Sequence, residues 1–267
     1  MNDKIIDFHT HAFPDDLAPR AMKKLSGEAP GIAAYLDGTT GELLDSMENN
    51  NIEKSVVCAI ATRPNQFDTI FDWCKTTRSD RLVMFPSIHP QDCQLREKIR
   101  LIKKEGFKGV KLHPFYQDFY LDEDRMLNIY QMLCEEDLIV VIHTGFDIAF
   151  PRIRRADCSR ILNVMSSFPR LKLITTHLGA WDQWDEVERQ LIGREIYMDI
   201  SFSLEYLEPQ KARRMIAAHP ANYILFATDS PWTDQGRTLN LLKNLNLSAD
   251  TEKKILWENA LSLLAPA

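Results

Sequence analysis

Short runs of β-branched and apolar residues alternate along the chain with longer segments whose apolar positions recur every three to four residues. The short runs read as strands: Lys4–His9 (KIIDFH), Lys54–Ile60, Leu82–Ile88, Lys108–Leu112, Leu138–His143 (LIVVIH), Leu171–His177 (LKLITTH), Ile196–Ile200 and Tyr223–Thr228 (YILFAT). The longer segments read as helices over Thr39–Asn50, Gln66–Ser79, Gln94–Glu105, Asp122–Asp137, Ser159–Phe168, Trp181–Gly193, Pro209–Ala218, Thr238–Asn244 and Ala249–Leu264, with Thr39 and Glu42 at capping-box spacing. Strands that alternate with helices predict a parallel sheet, because each parallel pair needs a crossover. Eight such units predict closure into a single (β/α)8 barrel spanning residues 1–267. An open, doubly wound sheet would place a glycine-rich phosphate turn after the first strand, and His9-Thr10-His11 stands there instead.

Composition narrows the function classes. The chain has 267 residues, 45% of them apolar and 26% charged, enough for one large core. Its net charge of −6 argues against a nucleic-acid surface. No run approaches the ~20 apolar residues that span a bilayer, and the opening Met1-Asn2-Asp3-Lys4 lacks the pattern of a signal peptide. Cys58, Cys74, Cys93, Cys134 and Cys158 form no CxxC pair, and an odd number fits a reduced protein with inert, buried thiols. A cytoplasmic location with a small-molecule partner is the expectation.

The chemistry gathers at one rim. Six of the seven histidines (His9, His11, His89, His113, His143 and His177) fall at or just past the C-terminal end of a predicted strand. That is the face on which barrel enzymes carry their active sites. Residues two apart on a strand share a face, so His9 and His11 both point to the barrel axis and can share a divalent cation. Asp7, one step deeper on that face, is placed to orient a ligand. His143 and His177 end apolar strands, and Asp229 follows the eighth. Singly, each has a plainer explanation: a core histidine bonded to backbone, or a turn or cap aspartate. Jointly they bring imidazoles and a carboxylate, the ligand types of Zn²⁺, Mn²⁺, Fe²⁺ or Co²⁺, to one mouth.

The motifs IDFHTH, GVKLHP, VIHTG, THLGA and ATDSP, with the closing Trp257-Glu258-Asn259-Ala260, run in this order from Ile6 to Leu264. The set resembles the amidohydrolase superfamily. It is closest to the amidohydrolase-related branch that includes aminocarboxymuconate-semialdehyde decarboxylase and its hydrolase relatives. The resemblance implies a distorted TIM barrel and one catalytic metal, zinc first, held by His9, His11, His143 and Asp229 with His177 beside it. Lys111 occupies the strand-4 position that in some members is a carboxylated lysine bridging two metals. Here the expectation is one ion and an unmodified Lys111, with His177 becoming a ligand should two bind. Family members often form homodimers.

The activity expected is hydrolysis of an ester, lactone or amide in a small carboxylated substrate. A bound metal lowers the pKa of water from 15.7 toward about 7. Asp229 would accept the proton, and His177 would hold the water or the developing oxyanion. Lys111, His113, Arg63 and Trp232 are the candidate substrate contacts, the two cations for a carboxylate and Trp232 for an apolar wall. His89 and His113 precede prolines and could instead shape loops. The Arg152–Arg155 cluster reads as a solvated face, and His219 as structural. Two alternatives stand beside the hydrolase. One is a metal-dependent, non-oxidative decarboxylase of an unsaturated or aromatic acid, and the other is a catalytically idle barrel that binds a partner.

Overall fold

The structure, a computed structural model, describes residues 4–265. Eight strands run in chain order: β1 (Ile6–Thr10), β2 (Lys54–Cys58), β3 (Leu82–Phe85), β4 (Gly109–Leu112), β5 (Ile139–Ile142), β6 (Lys172–Thr175), β7 (Tyr197–Asp199) and β8 (Ile224–Leu225). Neighbours pair in parallel within β1–β3 and within β4–β8. The seams between these sheets are closed by single bridges, Ser87 to Lys111 and Thr10 to Ser230. Lys111 N donates to Pro86 O (3.0 Å), Phe8 N to Phe226 O (2.9 Å) and Asp229 N to His9 O (2.8 Å). The expected (β/α)8 barrel is therefore the fold.

Period-two alternation assigns the two faces of the strands. Ile6, Phe8, Val56, Cys58, Phe85, Ile139, Val141, Ile174, Leu225 and Ala227 pack together inside the barrel. Their alternates, such as Val57, Met84, Val110, Leu112, Val140 and Ile142, pack outward in the layer shared with the helices. Gly109 is required where β4 passes its neighbours, since a Cβ there would lie 2.5 Å from Phe85 Cε2 and 2.6 Å from Ile139 O.

The crossover helices are α2 (Thr40–Asn49), α3 (Phe67–Thr77), α4 (Leu95–Lys104), α5 (Asp124–Glu135), α6 (Cys158–Ser167), α7 (Trp184–Gln190) and α8 (Pro209–Ala218), preceded by α1 (Ala18–Glu28) and followed by α9 (Gln235–Asn244). Thr39 caps α2 as its spacing predicts, accepting from Glu42 N at 3.2 Å. The closing helix is not continuous. It runs as α10 (Ala249–Lys253), a π-turn over Lys254–Glu258, and α11 (Asn259–Leu264). The π-turn directs Ile255 O to Phe226 N at 2.9 Å, and Asn259 Nδ2 donates to Ala221 O and Ile224 O, both at 2.7 Å. Ala260 and Leu263 of α11 join the barrel-interior cluster.

Three further readings of the sequence need correction. Helix α1 was not foreseen, because its face of mixed apolar and basic residues lacks a clean stripe. Strand β8 is two residues rather than six, since the donors at Phe226 and Thr228 turn to Ile255 O and to the Asp7 carboxylate (3.0 Å). Helix α7 begins at Trp184, which leaves Trp181 free to pack edge-on against His177 and Trp184. Among the described residues no helix is long and apolar enough to cross a membrane.

Candidate metal centre

The pairing of β1 with β2 shifts register between Asp7 and Thr10. Such an extra residue re-aims the side chains after it. Phe8 and His9 therefore both face the interior, and Asp7 does not share a face with His9 as expected. Its carboxylate turns to Thr228 Oγ1 (2.6 Å) and Gln235 Nε2 (2.7 Å) of α9, and burial raises its pKa to about 7. The residue that orients His9 is Asp199 at the end of β7, whose Oδ2 lies 3.0 Å from His9 Nδ1.

Three donor atoms then converge. His9 Nε2 and His11 Nε2 lie 3.2 Å apart, and Asp229 Oδ1 lies 3.5 Å from the first and 3.1 Å from the second. Ligands about 2.1 Å from one ion stand roughly 3.0–3.4 Å apart at right-angled to tetrahedral geometry. The chemistry fits as well as the spacing. His11 Nδ1 reaches Cys58 O at 2.7 Å, and a carbonyl only accepts, so that nitrogen carries the hydrogen. His9 Nδ1 donates likewise to Asp199. Both Nε2 lone pairs are thereby aimed at each other and at a carboxylate, an arrangement only a cation satisfies. Burial and the nearby Lys111 charge push the His9 pKa well down, which keeps that ring neutral. Burial opposes ionisation of Asp229, but positive charge held at the His9–His11 pair keeps its carboxyl well below the usual carboxylate range.

The backbone is bent to make this site. Asp229 (φ 69°) and His177 (φ 60°) both occupy the left-handed region, a conformation costing on the order of 1–3 kcal/mol for a residue with a Cβ. Asp199 anchors the second bend, accepting from His177 N (3.1 Å) through Oδ1 while its own carbonyl accepts from Leu178 N (2.6 Å).

His143, expected beside His9, His11 and Asp229, takes another place. The turn at Gly145 brings Phe146 O to within 2.9 Å of His143 Nε2, and Asp147 Oδ2 lies at 3.7 Å. His143 Nδ1 faces His177 Nε2 at 3.0 Å, while His177 Nδ1 lies 3.0 Å from Ser201 O. Backbone carbonyls again fix the hydrogens, so two more lone pairs face each other, a gap that a shared proton or a cation fills. Burial, reinforced by a neighbouring ring in each case, pushes His143 down to about 3 and His177 down to about 4. His113 stacks on His143 with ring centroids 4.3 Å apart and pairs with Asp147 at 3.3 Å. The set His113, His143 and Asp147 has donor atoms within 4.8 Å of one another. His143 turns its Nε2 hydrogen to Phe146 O and its free lone pair to His177, so this set converges less well than the first.

Lys111 is fully buried, with Nζ 2.9 Å from His9 Nε2, and burial lowers its pKa. The centre opens into a cavity of 740 Å³ that Arg63 and Trp232 also line, along with Trp181 and Phe202. Phe146, Trp181 and Phe202 form an aromatic cluster against which Trp232 packs. Of the seven histidines, His89 accepts from Gln91 N at 3.2 Å and shapes its loop, and His219 lies 2.9 Å from Ile196 O. Arg152, Arg154 and Arg155 pair with Asp182, Glu186 and Asp118 on the surface. The cysteines are free; Cys58, Cys74 and Cys158 are buried as expected, while Cys134 is half-buried and Cys93 exposed. Sequence reasoning missed Asp199, Ser201 and Asp147. The spacing Asp199-x-Ser201 at a strand end was the available signal for the first two.

Comparison with known proteins gives the family and bears out the fold. The amidohydrolase family model matches residues 6–265, and the chain belongs to that family. No curated protein matches its sequence. An uncharacterized TIM-barrel protein from Bordetella bronchiseptica superposes with a TM-score of 0.76 at 21% identity, over 98% of both chains. 5-Carboxyvanillate decarboxylase from Sphingomonas paucimobilis gives 0.75 at 14%, over 98% of this chain and 99% of that one. 5-Carboxyvanillate decarboxylase from Novosphingobium aromaticivorans, complexed with manganese and 4-hydroxy-3-methoxy-5-nitrobenzoic acid, gives 0.72 at 16%, over 98% and 96%.

Proposed function

We propose that this chain is a divalent-metal enzyme that decarboxylates an unsaturated or aromatic carboxylic acid without oxidation. The observation that carries the reading is the pair of facing Nε2 lone pairs of His9 and His11, closed by Asp229, on the floor of an aromatic-walled cavity. His9, His11 and Asp229 would hold the ion, zinc or manganese by donor type. When bound, it supplies Lewis-acid polarisation of a substrate oxygen. Structurally similar decarboxylases support this reaction over the hydrolysis expected from the sequence, and one of them carries manganese.

In this reading the carbon–carboxylate bond breaks, CO₂ leaves, and the electron pair remains on carbon, which takes a proton. His177 and His143 are the groups placed to deliver it. Alone, their buried rings are neutral at pH 7, but an anionic substrate beside them favours the shared proton that their 3.0 Å approach calls for. Trp181, Phe202 and Trp232 exclude water from the carbanionic carbon. Hydrolysis is the second reading, because an ionised Asp229 beside the donor set can also take a proton from water.

The test is metal-reconstituted protein given carboxyl-labelled 5-carboxyvanillate and 2,6-dihydroxybenzoate in parallel with an ester, lactone and amide panel. Labelled CO₂, lost on chelation and restored by metal, is expected. Hydrolysis without CO₂ would replace the reading, and a protein that retains no stoichiometric metal would leave the idle barrel.

A further inference from the structure

The barrel is two sheets joined along two seams, and the candidate site is divided between them. The β1–β3 sheet carries His9 and His11. The β4–β8 sheet carries Lys111, His113, His143 and His177 on or just past its strands. Each seam has one backbone bridge, Thr10 to Ser230 and Ser87 to Lys111, so the fit of the two halves depends on what else crosses it. At the β8–β1 seam the Asp7 carboxylate accepts from Thr228 N (3.0 Å) and Thr228 Oγ1 (2.6 Å). At the β3–β4 seam the crossing group is the amide of Gln117, in the loop after β4, which the proposed chemistry leaves without a role.

Gln117 is 1% exposed, and its amide has partners for its oxygen and its nitrogen. Oε1 accepts from His113 N at 2.8 Å, and Gln117 N donates to His113 O at 3.0 Å, so both backbone groups of His113 end on this one residue. Nε2 donates to Ile88 O, past β3, at 2.8 Å and to Ala61 O, past β2, at 2.9 Å. One side chain thus ties the ends of β2, β3 and β4 together. Beside it Ser87 Oγ donates to Lys111 O at 2.8 Å. One acceptor and two donors are what an amide supplies. A glutamate would set an oxygen against two carbonyls, and a methionine would strand both of them and His113 N. A buried network whose members are all satisfied holds its partners rigidly.

The tied segments carry groups of the site other than the metal ligands. Lys111 Nζ stands 2.9 Å from His9 Nε2, and His113 stacks on His143. Ala61 leads into Thr62 and Arg63, which line the cavity. His9 and Asp229 meet instead across the other seam, where Asp229 N donates to His9 O. A slip between β3 and β4 would therefore shift the lysine and the outer imidazoles against the ion position while the three ligands stay together.

We propose that Gln117 is a positioning residue that sets Lys111, His113 and, through the stacked rings, His143 against the metal-binding half of the site. Its consequence for turnover rests on the decarboxylase reading, whereas the tie itself does not.

Two variants test it. Gln117→Glu keeps the acceptor for His113 N and removes both donors, and Gln117→Met removes all three side-chain bonds at similar length. Ser87→Ala weakens the same seam by one hydroxyl, with a smaller effect in the same direction, and serves should the Gln117 variants fail to fold. Amide hydrogen exchange read by NMR reports each seam separately. Lys111 N, which donates to Pro86 O between β3 and β4, should exchange at least about tenfold faster in either Gln117 variant. Asp229 N and Phe8 N, bonded at the other seam, should keep wild-type rates. Metal affinity by chelator competition should stay within about threefold of wild type, since no ligand loses a partner. The kcat for labelled CO₂ release should fall by about tenfold to a hundredfold, the scale of a 1 Å misplacement. Equal acceleration at both seams, or metal binding that weakens in step with turnover, marks a general loss of stability and overturns the proposal. Wild-type exchange at Lys111 or wild-type kcat overturns it as well. Exchange and metal binding need no substrate, so a wild-type protein that releases no CO₂ would lose the decarboxylase reading and leave the tie to be judged by exchange.

Discussion

Replacing Asp199 with asparagine isolates the group that sets the tautomer of His9. Asp199 Oδ1 accepts from His177 N (3.1 Å), Ser201 N (3.0 Å) and Ser201 Oγ (2.5 Å), so an amide NH₂ placed there would meet three donors. The amide oxygen must take that position, and its NH₂ must take that of Oδ2, 3.0 Å from His9 Nδ1. A donor facing Nδ1 forces the hydrogen of His9 onto Nε2, the atom aimed at His11 and Asp229. Groups that orient a metal-binding histidine are worth about 10–100-fold in metal affinity, or about 1.4–2.7 kcal/mol. Asp199→Asn should therefore lose at least that much while unfolding in urea close to wild type, since every hydrogen bond is kept and a buried charge is removed. Asp199→Ala should show the opposite order. It strands the three donors at about 1–3 kcal/mol each, but lets His9 Nδ1 donate to Ser201 Oγ, 3.2 Å away, and so keep its Nε2 lone pair. Competitive chelator titration with Zn²⁺ or Mn²⁺, beside urea unfolding of the apo forms, measures both quantities. Wild-type metal affinity in Asp199→Asn, or weaker metal binding in Asp199→Ala than in Asp199→Asn, would refute the reasoning.

Two further outcomes follow from groups that flank the centre. Gly145 sits at φ 89°, and a Cβ there would lie 2.1 Å from Trp181 N. Gly145→Ala should destabilise by more than about 2 kcal/mol in urea and disturb the site by pushing the β5 and β6 loops apart. Unfolding within 0.5 kcal/mol of wild type, roughly the surface-substitution range, would contradict that. Asp7 titrates near 7 in the folded protein because of burial, against an ordinary value of 3.8. The folded state then holds more protons than the unfolded one between these values, so this group's contribution is present below about pH 4 and lost as pH rises through 7. The slope is at most about 1.4 kcal/mol per pH unit. The stability difference between wild type and Asp7→Asn should tilt against wild type across that window, and parallel curves would exclude the shift.

The barrel was legible because each strand is short, β-branched and bounded, and each crossover repeats the helical period. Its departures were not legible, because they depend on partners distant in sequence. Nothing in YILFAT reveals that Phe226 N will turn to a carbonyl freed by a π-turn near residue 255. The mixed face of α1 reads as surface until the cavity is placed beside it. His9, His11 and Asp229 were readable as a set because an HxH pair and a carboxylate fall at strand ends. The irregularity in β1 was not, so Asp7 was given the orienting role that belongs to Asp199, 190 residues away from His9. His143 was placed correctly on its strand, but the direction of its ring depends on a loop whose glycine turn the strand pattern does not encode.

Lys111 is where these strands of reasoning meet. Its Nζ stands 2.9 Å from His9 Nε2 and fills the cationic role that the facing lone pairs demand. An ion about 2.1 Å from that nitrogen would lie within roughly 5 Å of Nζ, whatever its direction. A dication and an ammonium at that separation repel by on the order of 6 kcal/mol at an effective dielectric of 20, several pK units. Burial already acts in the same direction, and the charges of Asp229, Asp199 and Asp147 act against it. Metal and lysine proton therefore compete for one position, and occupancy by the metal favours the neutral amine. A neutral Lys111 has lost the charge that would clamp a substrate carboxylate. Guanidiniums keep their charge in any environment, so of the cations that line the cavity Arg63 and Arg20 are less affected by an ion at the centre than Lys111.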